Sequence, residues 1–385
     1  MFITLQNDAN KEKYFELLKM IGGLSKLFSD SPIPYLYYRS AENIFCKAFG
    51  ADNLSRSDCS ADARVSDLGL GLKTFLNNNG KTFQKIAEFN KNRKDYIEES
   101  NIEKLIDRII YMRNKRIEST KTIHGIDTMI YHCVAREKDK FLIYEEAMEY
   151  INEKAIKNIS KKNNSIVFED NRNQYNFNIS KSTLYKRFYT PSDHINIDVK
   201  IFDNPFQLLE NFNNKWEEIE VNDLREKEYV ILPLYSFLNN KVMEKSGLNQ
   251  WNASGRARNQ DEIYIPVPMI IHKRFPDFFP HKGKEFNLIL PNKSILSAKM
   301  CQNAKLNING EIVDKGKGLM SNPNLELGKW ILRDILKIKP GVLVTMDDLY
   351  DIGIDSVEVT KINDDYYEIN FKDIGSFERF LSNTE

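Results

Sequence analysis

The chain has 385 residues, of which 41% are hydrophobic and 29% charged, and its 55 basic side chains are balanced by 55 acidic ones. This length predicts two domains, and the even charge argues against a protein that coats nucleic acid non-specifically, although it leaves room for a local basic groove. No apolar run approaches the roughly 20 residues that span a bilayer, the N-terminus has no secretion signal, and four distant cysteines form no CxxC pair. We therefore expect no membrane association, no zinc site and a cytoplasmic location.

The first part of the chain is predicted to be an α/β domain, over residues 1–205. Apolar residues at helical spacing predict helices over 11–28, 39–49, 81–99 and 101–118. Two short strands flank a polar turn within 60–75, so that a mixed sheet flanked by helices is the expected fold. Shorter strand-like segments follow at 165–168 and 175–179, on either side of a turn.

The second part is predicted to be a mainly β domain over 229–385, after a linker at 206–228. One helix is expected, at Leu325–Leu336, and prolines in two of the strand segments suit strand edges or ends. The predicted strands lie at 229–235, 263–268, 286–290, 294–300, 342–345, 356–362 and 366–371.

The strand pair within 60–75 carries an acidic and a basic residue that suit phosphodiester chemistry. Asp62 and Lys73 lie 73 − 62 = 11 positions apart, which places them roughly opposite one another across a short hairpin. A carboxylate can hold a hard divalent ion such as Mg²⁺, which activates water, and a lysine can stabilise developing charge. The competing interpretation is a surface salt bridge of little energetic value.

This pattern resembles the PD-(D/E)xK nuclease fold, in which an Asp on one strand and an acidic-x-Lys on the next bind the metal. Here the acidic position is Gly71, which departs from the family pattern. Some restriction enzymes of this class take the missing carboxylate from the following helix, so the resemblance implies Glu88 as the second metal ligand beside Asp62. Glu42, on the preceding helix, is a supporting carboxylate. Asp67 competes for the role of the first Asp, but it lies at the predicted turn.

Other hydrolytic motifs are absent from the sequence. None of the five histidines is followed by Lys two positions later, as a phospholipase-D-type site requires, and there is no HEXXH or Walker A motif. The catalytic hypothesis that remains is a nuclease whose site lies on the hairpin of Asp62 and Lys73.

The C-terminal half contains several unusual strings in a fixed order. They are Gly255-Arg256-Ala257-Arg258-Asn259, His272-Lys273-Arg274, Gly318-Leu319-Met320-Ser321-Asn322-Pro323-Asn324, Leu327-Gly328-Lys329-Trp330 and Gly353-Ile354-Asp355-Ser356-Val357. Over about 229–371 this arrangement is similar to the B3-like DNA-recognition domain of the BfiI and NgoFVII restriction endonucleases. Those enzymes carry a phospholipase-D-type nuclease, whose histidine signature this chain lacks, so the catalytic domain differs.

The resemblance implies a β-pseudobarrel that presents two arms to the DNA major groove, near 254–260 and 316–324. Arg256 and Arg258 would contact guanine, while amides would contact adenine or phosphate and lysines would hold phosphates. The amides are Asn259, Asn322 and Asn324, and the lysines are Lys282, Lys284 and Lys317, with Lys315 and Lys329 as further phosphate contacts.

The sequence thus predicts a type II restriction endonuclease that depends on Mg²⁺ and acts on double-stranded DNA. Because two strands must be cut, a homodimer is expected. The alternative is a non-cutting, sequence-specific DNA-binding protein with a degenerate nuclease domain, which the glycine at position 71 favours. An RNA-directed or nicking nuclease is a third possibility.

Overall fold

The computed structural model describes residues 1–54, 59–96, 99, 101–213, 228–308 and 311–383, and the chain divides into two compact units. The first unit comprises Met1–Ile117 and the described residues from Ile126 to Asn213. The second comprises Glu118–Gly125 and the described residues from 228 onward. The last turn of one long helix therefore belongs to the second unit, which a boundary drawn along the sequence does not show.

The helices of the first unit bury one apolar face each. In the second helix, Ala41, Ile44, Phe45 and Ala48 recur at three- and four-residue spacing and are buried. This helix ends at Gly50, whose φ of +63° is a left-handed conformation that glycine adopts without strain. The helices are α1 (Asp8–Gly23), α2 (Tyr38–Phe49), α3 (Ile102–His124, whose last turn lies in the second unit) and α4 (Pro205–Asn213).

A six-stranded mixed sheet with the order β1-β2-β3-β5-β6-β11 forms the centre of the first unit. All its neighbours are antiparallel except β3 and β5, which run parallel and are joined through α3. Both faces are buried: Leu70 and Leu72 pack on α1 and α2, and Phe75 packs with Tyr131 on the other face. The strands are β1 (Asp52–Asn53), β2 (Ala63–Val65), β3 (Leu68–Leu76), β4 (Lys81–Glu88), β5 (Thr128–Glu137), β6 (Lys140–Ala147), β7 (Lys157–Lys162), β8 (Ser165–Glu169), β9 (Gln174–Asn178), β10 (Thr183–Tyr189) and β11 (Ile195–Asp198).

A second, antiparallel sheet covers the face that carries Phe75. Its order is β4-β10-β9-β8-β7, and Phe188 of β10 packs against Phe75 and Tyr131. The helix predicted over 81–99 is wrong: Lys81–Glu88 is strand β4, followed by a 3-10 turn at Asn90–Asp95. The physical reason is the pairing of β4 along β10, from Lys81 opposite Tyr189 to Glu88 opposite Thr183, which overrides a local helical spacing.

The second unit is mainly β, as predicted. Its seven-stranded sheet has the order β12-β19-β20-β14-β15-β18-β13, and the outer strands β12 and β13 also touch, so the sheet is nearly closed into a barrel. One apolar core fills it, with Phe286, Met300, Leu319 and Ile331 among its members. The strands are β12 (Tyr229–Pro233), β13 (Ile265–Pro266), β14 (Glu285–Ile289), β15 (Ile295–Cys301), β16 (Lys305–Ile308), β17 (Glu311–Asp314), β18 (Gly318–Ser321), β19 (Ile354–Lys361) and β20 (Tyr366–Asp373).

The predicted helix at 325–336 is present in two parts, α6 (Glu326–Gly328) and a π-helical segment at Lys329–Ile335. The remaining helices of this unit are α5 (Met269–Arg274), α7 (Met346–Asp351) and α8 (Ser376–Asn383). Trp330 is buried and packs against Phe371, so this tryptophan belongs to the core of the second unit. Across the part of the chain that the structure describes, no helix is both long enough and apolar enough to cross a membrane.

Candidate functional site

The hairpin of β2 and β3 brings Asp62 and Lys73 together. Asp62 immediately precedes β2, and its backbone N–H donates to the Leu70 carbonyl at 2.7 Å. Its carboxylate Oδ2 accepts the backbone N–H of Leu72, also at 2.7 Å. The carboxylate therefore occupies a fixed position beside β3, one residue from the lysine.

Charges around Asp62 come from two elements. Burial raises the pKa of Asp62, while Lys73 on β3, the Leu72 N–H and Arg39 on α2 pull the pKa down. Burial is the largest of these effects, so the neutral acid is favoured in the folded protein relative to a carboxyl in water.

Glu42 lies on α2, in the same neighbourhood. Its side chain is buried and accepts a hydrogen bond from Arg39 Nη1 at 2.8 Å, the same arginine that acts on Asp62. Burial, and then the negative charges of Glu42, Asp52 and Asp62, raise the pKa of the Cys46 thiol to about 11. Glu42 and Asp62 therefore both act on Cys46 of α2.

Glu88 does not lie on the sheet that contains the hairpin of Asp62 and Lys73. It ends β4 in the second sheet, where its carboxylate accepts from Lys85 Nζ at 3.1 Å and from the Asn90 side chain. The prediction that a helix after Lys73 carries this carboxylate back to the hairpin is wrong, because the segment is a strand that pairs with β10.

Gly71, at the acidic position of the resembled motif, packs closely against two side chains that a Cβ would have to displace. A Cβ built there would lie 2.6 Å from Met148 Cε and 3.1 Å from the Tyr131 ring. Within the described residues, no group of three or more His, Cys, Asp and Glu side chains is arranged to hold a metal ion. Asp62 precedes β2 of the first sheet and Glu88 ends β4 of the second, and Mg²⁺ binding by these two carboxylates stays a prediction.

Sequence reasoning missed a polar cluster on the Lys73 face of the sheet. Tyr131 is its centre: Lys73 Nζ lies 5.9 Å and Lys186 Nζ 6.0 Å from the centroid of its ring, and Arg113 Nη2 donates to its hydroxyl at 2.9 Å. Lys186 also forms an ion pair with Glu146. These residues come from β3, α3, β5, β6 and β10, and no spacing in the sequence links them.

In the second unit, the loop at 254–262 presents one of its two predicted arginines. Arg256 is 57% exposed and forms an ion pair with the buried Glu262. Arg258 is only 13% exposed, and its Nη1 donates to the Ala253 carbonyl at 2.6 Å and to the Ser254 carbonyl at 3.2 Å. Arg258 therefore holds the loop backbone from a mostly buried position. Arg256 also donates from Nη1 to the Ala257 carbonyl at 3.2 Å, but its side chain stays more than half exposed.

A close backbone contact fixes the end of this loop. A Cβ on Gly328 would lie 1.8 Å from the Asp261 carbonyl oxygen, so only glycine allows the loop to pack against α6. Arg333 adds two hydrogen bonds, to Asp261 Oδ1 at 2.7 Å and to the Gln260 carbonyl at 2.8 Å. The exposed Asn259 caps a local turn by accepting the Asp261 N–H at 2.9 Å.

The segment with Asn322 and Asn324 lies at the same end of the barrel. Strand β13 runs antiparallel to β18, with Ile265 opposite Leu319, so the residues before β13 extend toward the residues after β18. Asn322 accepts from Lys299 Nζ at 3.0 Å and donates to Glu285 at 2.6 Å. This pairing directs the loop before β13 toward the segment after β18, and we call this end of the barrel the loop edge.

Two of the predicted phosphate-binding lysines, Lys282 and Lys317, lie away from the loop edge. Lys317 directly precedes β18 and Lys282 bonds Asp314 at 3.3 Å, so both belong to the opposite end of that strand. Lys284 lies 3.4 Å from Asp365 and is half exposed. Lys284 directly precedes Glu285, which accepts a hydrogen bond from Asn322 at 2.6 Å, so this lysine does not share the position of the other two.

The nearly closed sheet and its loop edge define a barrel of the kind that displays loops on a rigid support. Residues 221–363 match the family model described as the NgoFVII C-terminal B3-like DNA-binding domain. The second unit therefore contains a B3-like domain similar to the DNA-binding domain of a restriction-enzyme family, which supports DNA as its partner. No curated protein and no solved structure matches the chain.

Proposed function

We propose that the chain is a sequence-specific DNA endonuclease of the type II restriction class. The second unit would read the DNA site and the first would hydrolyse the phosphodiester bond. The match of 221–363 to a B3-like DNA-binding domain is the observation that carries the proposal. The juxtaposition of Asp62 and Lys73 on a buried hairpin supports the catalytic half.

For recognition, the loop edge supplies the groups that read bases. An exposed guanidinium such as that of Arg256 suits the two acceptors of guanine, and the amides of Asn322 and Asn324 suit adenine. Lys282, Lys284 and Lys317 would contact phosphates, which position the domain without specifying a sequence.

For cleavage, Lys73 is the residue proposed to act on the phosphate. The residue is only partly exposed, so its charge is less screened than that of a surface lysine and can stabilise the charge that develops in the transition state. Asp62 holds the hairpin through the Leu72 N–H and orients Lys73 by its charge. The proposal includes dependence on Mg²⁺, which removal of the metal tests. Cutting both strands would use two copies of this site, hence a homodimer.

A DNA-binding protein that does not cleave is the second candidate. Gly71 favours it, because the acidic position of the resembled motif carries no carboxylate and is packed against Met148 and Tyr131. In that case the first unit would retain a nuclease-like sheet without its chemistry.

Digestion of plasmid DNA by the full chain separates the two candidates. We expect discrete fragments from the wild type, loss of cleavage in Lys73→Ala with site-specific binding retained, and normal cleavage in Lys85→Ala, a control lysine that lies exposed on β4. Parallel reactions with Mg²⁺ or EDTA test the metal requirement. Binding without cleavage in any reaction would refute the nuclease and leave the second candidate.

A further inference from the structure

We propose that Glu146 is the carboxylate that works with Lys73 at the cleavage site, and that Lys186 is its positioning residue. This inference rests on the proposed function and names a catalytic residue that the hairpin does not contain. It replaces Glu88, which the fold places in the second sheet.

The sheet register places Glu146 on the same face as Lys73. Gly71 pairs with Tyr131 across β3 and β5, and Tyr131 pairs with Glu146 across β5 and β6, so these three residues form one row. Lys73 lies in the next row of the same face, opposite Cys133. Because Gly71 is filled by Met148 and Tyr131, the row offers its carboxylate at Glu146.

The charges of this face converge on a common point. Burial raises the pKa of Cys133, the negative charge of Glu146 raises it further, and Lys73 and Lys186 lower it. The pKa of this one thiol thus responds to Glu146, Lys73 and Lys186. Lys73 and Lys186 also approach the same Tyr131 ring, at 5.9 and 6.0 Å from its centroid. Lys73 and Glu146 thus lie on one face of the sheet in adjacent rows, and the scissile phosphate would bind across both.

Glu146 combines burial with access to solvent, as a proton acceptor needs. Its side chain is 26% exposed, whereas the paired Lys186 is 5% exposed. Burial raises the pKa of Glu146 above its usual value, and the ion pair and hydrogen bond with Lys186 oppose this shift. A carboxylate with a raised pKa is a stronger base near neutral pH than one in water.

The proposed step balances without any further reactant. The oxygen of a water molecule bonds to phosphorus while one of its protons moves to the Glu146 carboxylate. The bond from phosphorus to the departing ribose oxygen breaks, and that oxygen takes a proton from solvent. Lys73 would stabilise the negative charge on the phosphate oxygens during this exchange.

Single-turnover cleavage of target DNA by the full-length protein tests the assignment. We expect Glu146→Gln to lower the rate by about 100-fold or more, the range of general-base catalysis, with unchanged DNA binding. Glu88→Gln and Glu149→Gln, a surface control paired with Arg172, should cleave like the wild type. Cleavage by Glu146→Gln at the wild-type rate would overturn the inference but not the proposed function. Absence of cleavage by the wild-type protein would refute both.

A pH profile separates a catalytic Glu146 from a structural one. Lys186 faces Glu146 directly, and Tyr131, Cys133 and Tyr144 respond to the charge of Glu146. Lys73 acts on Cys133, and Arg113 acts on Tyr131. Lys186→Met removes the interaction that lowers the pKa of Glu146, so the acidic limb of the rate profile should move to higher pH. If the acidic limb of the rate profile does not move in Lys186→Met, the assignment of Glu146 is contradicted. This test remains available even if Glu146→Gln fails to fold. Recovery of cleavage in Glu146→Asp, by comparison with Glu146→Gln, would support it.

Discussion

Gly328→Ala probes the packing that holds the recognition loop at the loop edge. The added Cβ would lie 1.8 Å from the Asp261 carbonyl oxygen, while ordinary contact begins near 3.4 Å, so the loop and α6 must separate by about 1.6 Å. Overpacking of this kind costs about 1–3 kcal/mol of folding stability. The same displacement moves Arg256, six residues before Glu262, away from its reading position.

We expect the variant to lose binding to its specific site beyond its loss of stability. Loss of one good base contact costs about 1–3 kcal/mol, which is about 5- to 150-fold in affinity. Fluorescence anisotropy with target and scrambled duplexes, at a temperature where the protein is folded, measures this ratio. Leu332→Ala is the matched control, because it opens a cavity in the same unit and costs about 2–5 kcal/mol without separating the loop. Wild-type discrimination in Gly328→Ala, or equal loss in Leu332→Ala, would refute the reasoning.

Three further predictions follow from single side chains. Arg256→Ala should weaken binding to the target by about 1–3 kcal/mol and relax one base preference. Arg258→Ala should instead weaken binding to all duplexes, because it releases the loop backbone. The reverse pattern in a randomised-site selection would contradict this prediction. Burial raises the pKa of Asp62, so its contribution to stability falls as the pH rises from 3.8 through the raised value. Asp62→Asn should therefore melt higher than the wild type at pH 7, with a gain that shrinks toward pH 3.8, and thermal melts without that gain would count against the sign. Glu145→Ala leaves His132 Nδ1 and the Ile3 N–H without their acceptor and should cost about 1–3 kcal/mol in chemical denaturation, whereas the exposed Glu149→Ala should cost little.

Local patterns predicted part of the fold. The helical spacing over 39–49 corresponds to α2, the turn signal at 169–173 separates β8 from β9, and the prolines near 266 mark the outer strand β13. The segment at 81–99 was misassigned because its pairing partner β10 lies almost a hundred residues away. Strands β5 and β6 were missed altogether, although they occupy the centre of the first sheet. A rule based on local residue spacing does not detect pairing between segments that are far apart in the sequence.

The candidate site shows the same division. Asp62 and Lys73 are close in sequence, and a hairpin rule predicted their proximity, which the structure contains. Glu146 and Lys186 reach Tyr131 only through the register of β5, β6 and β10, so no motif indicates them. The packing of Gly71 against Met148 likewise depends on a contact 77 positions away. The roles of these residues stay predictions until cleavage is measured.

Sequencing the fragment ends of a genomic digest tests the central claim most directly, because it shows target, cut position and strand symmetry together. The full-length protein should yield ends that share one short sequence at a fixed distance from the cut, and Lys73→Ala should yield none. Intact DNA after incubation with Mg²⁺, with the protein bound at specific sites, would contradict cleavage and describe a DNA-binding protein instead.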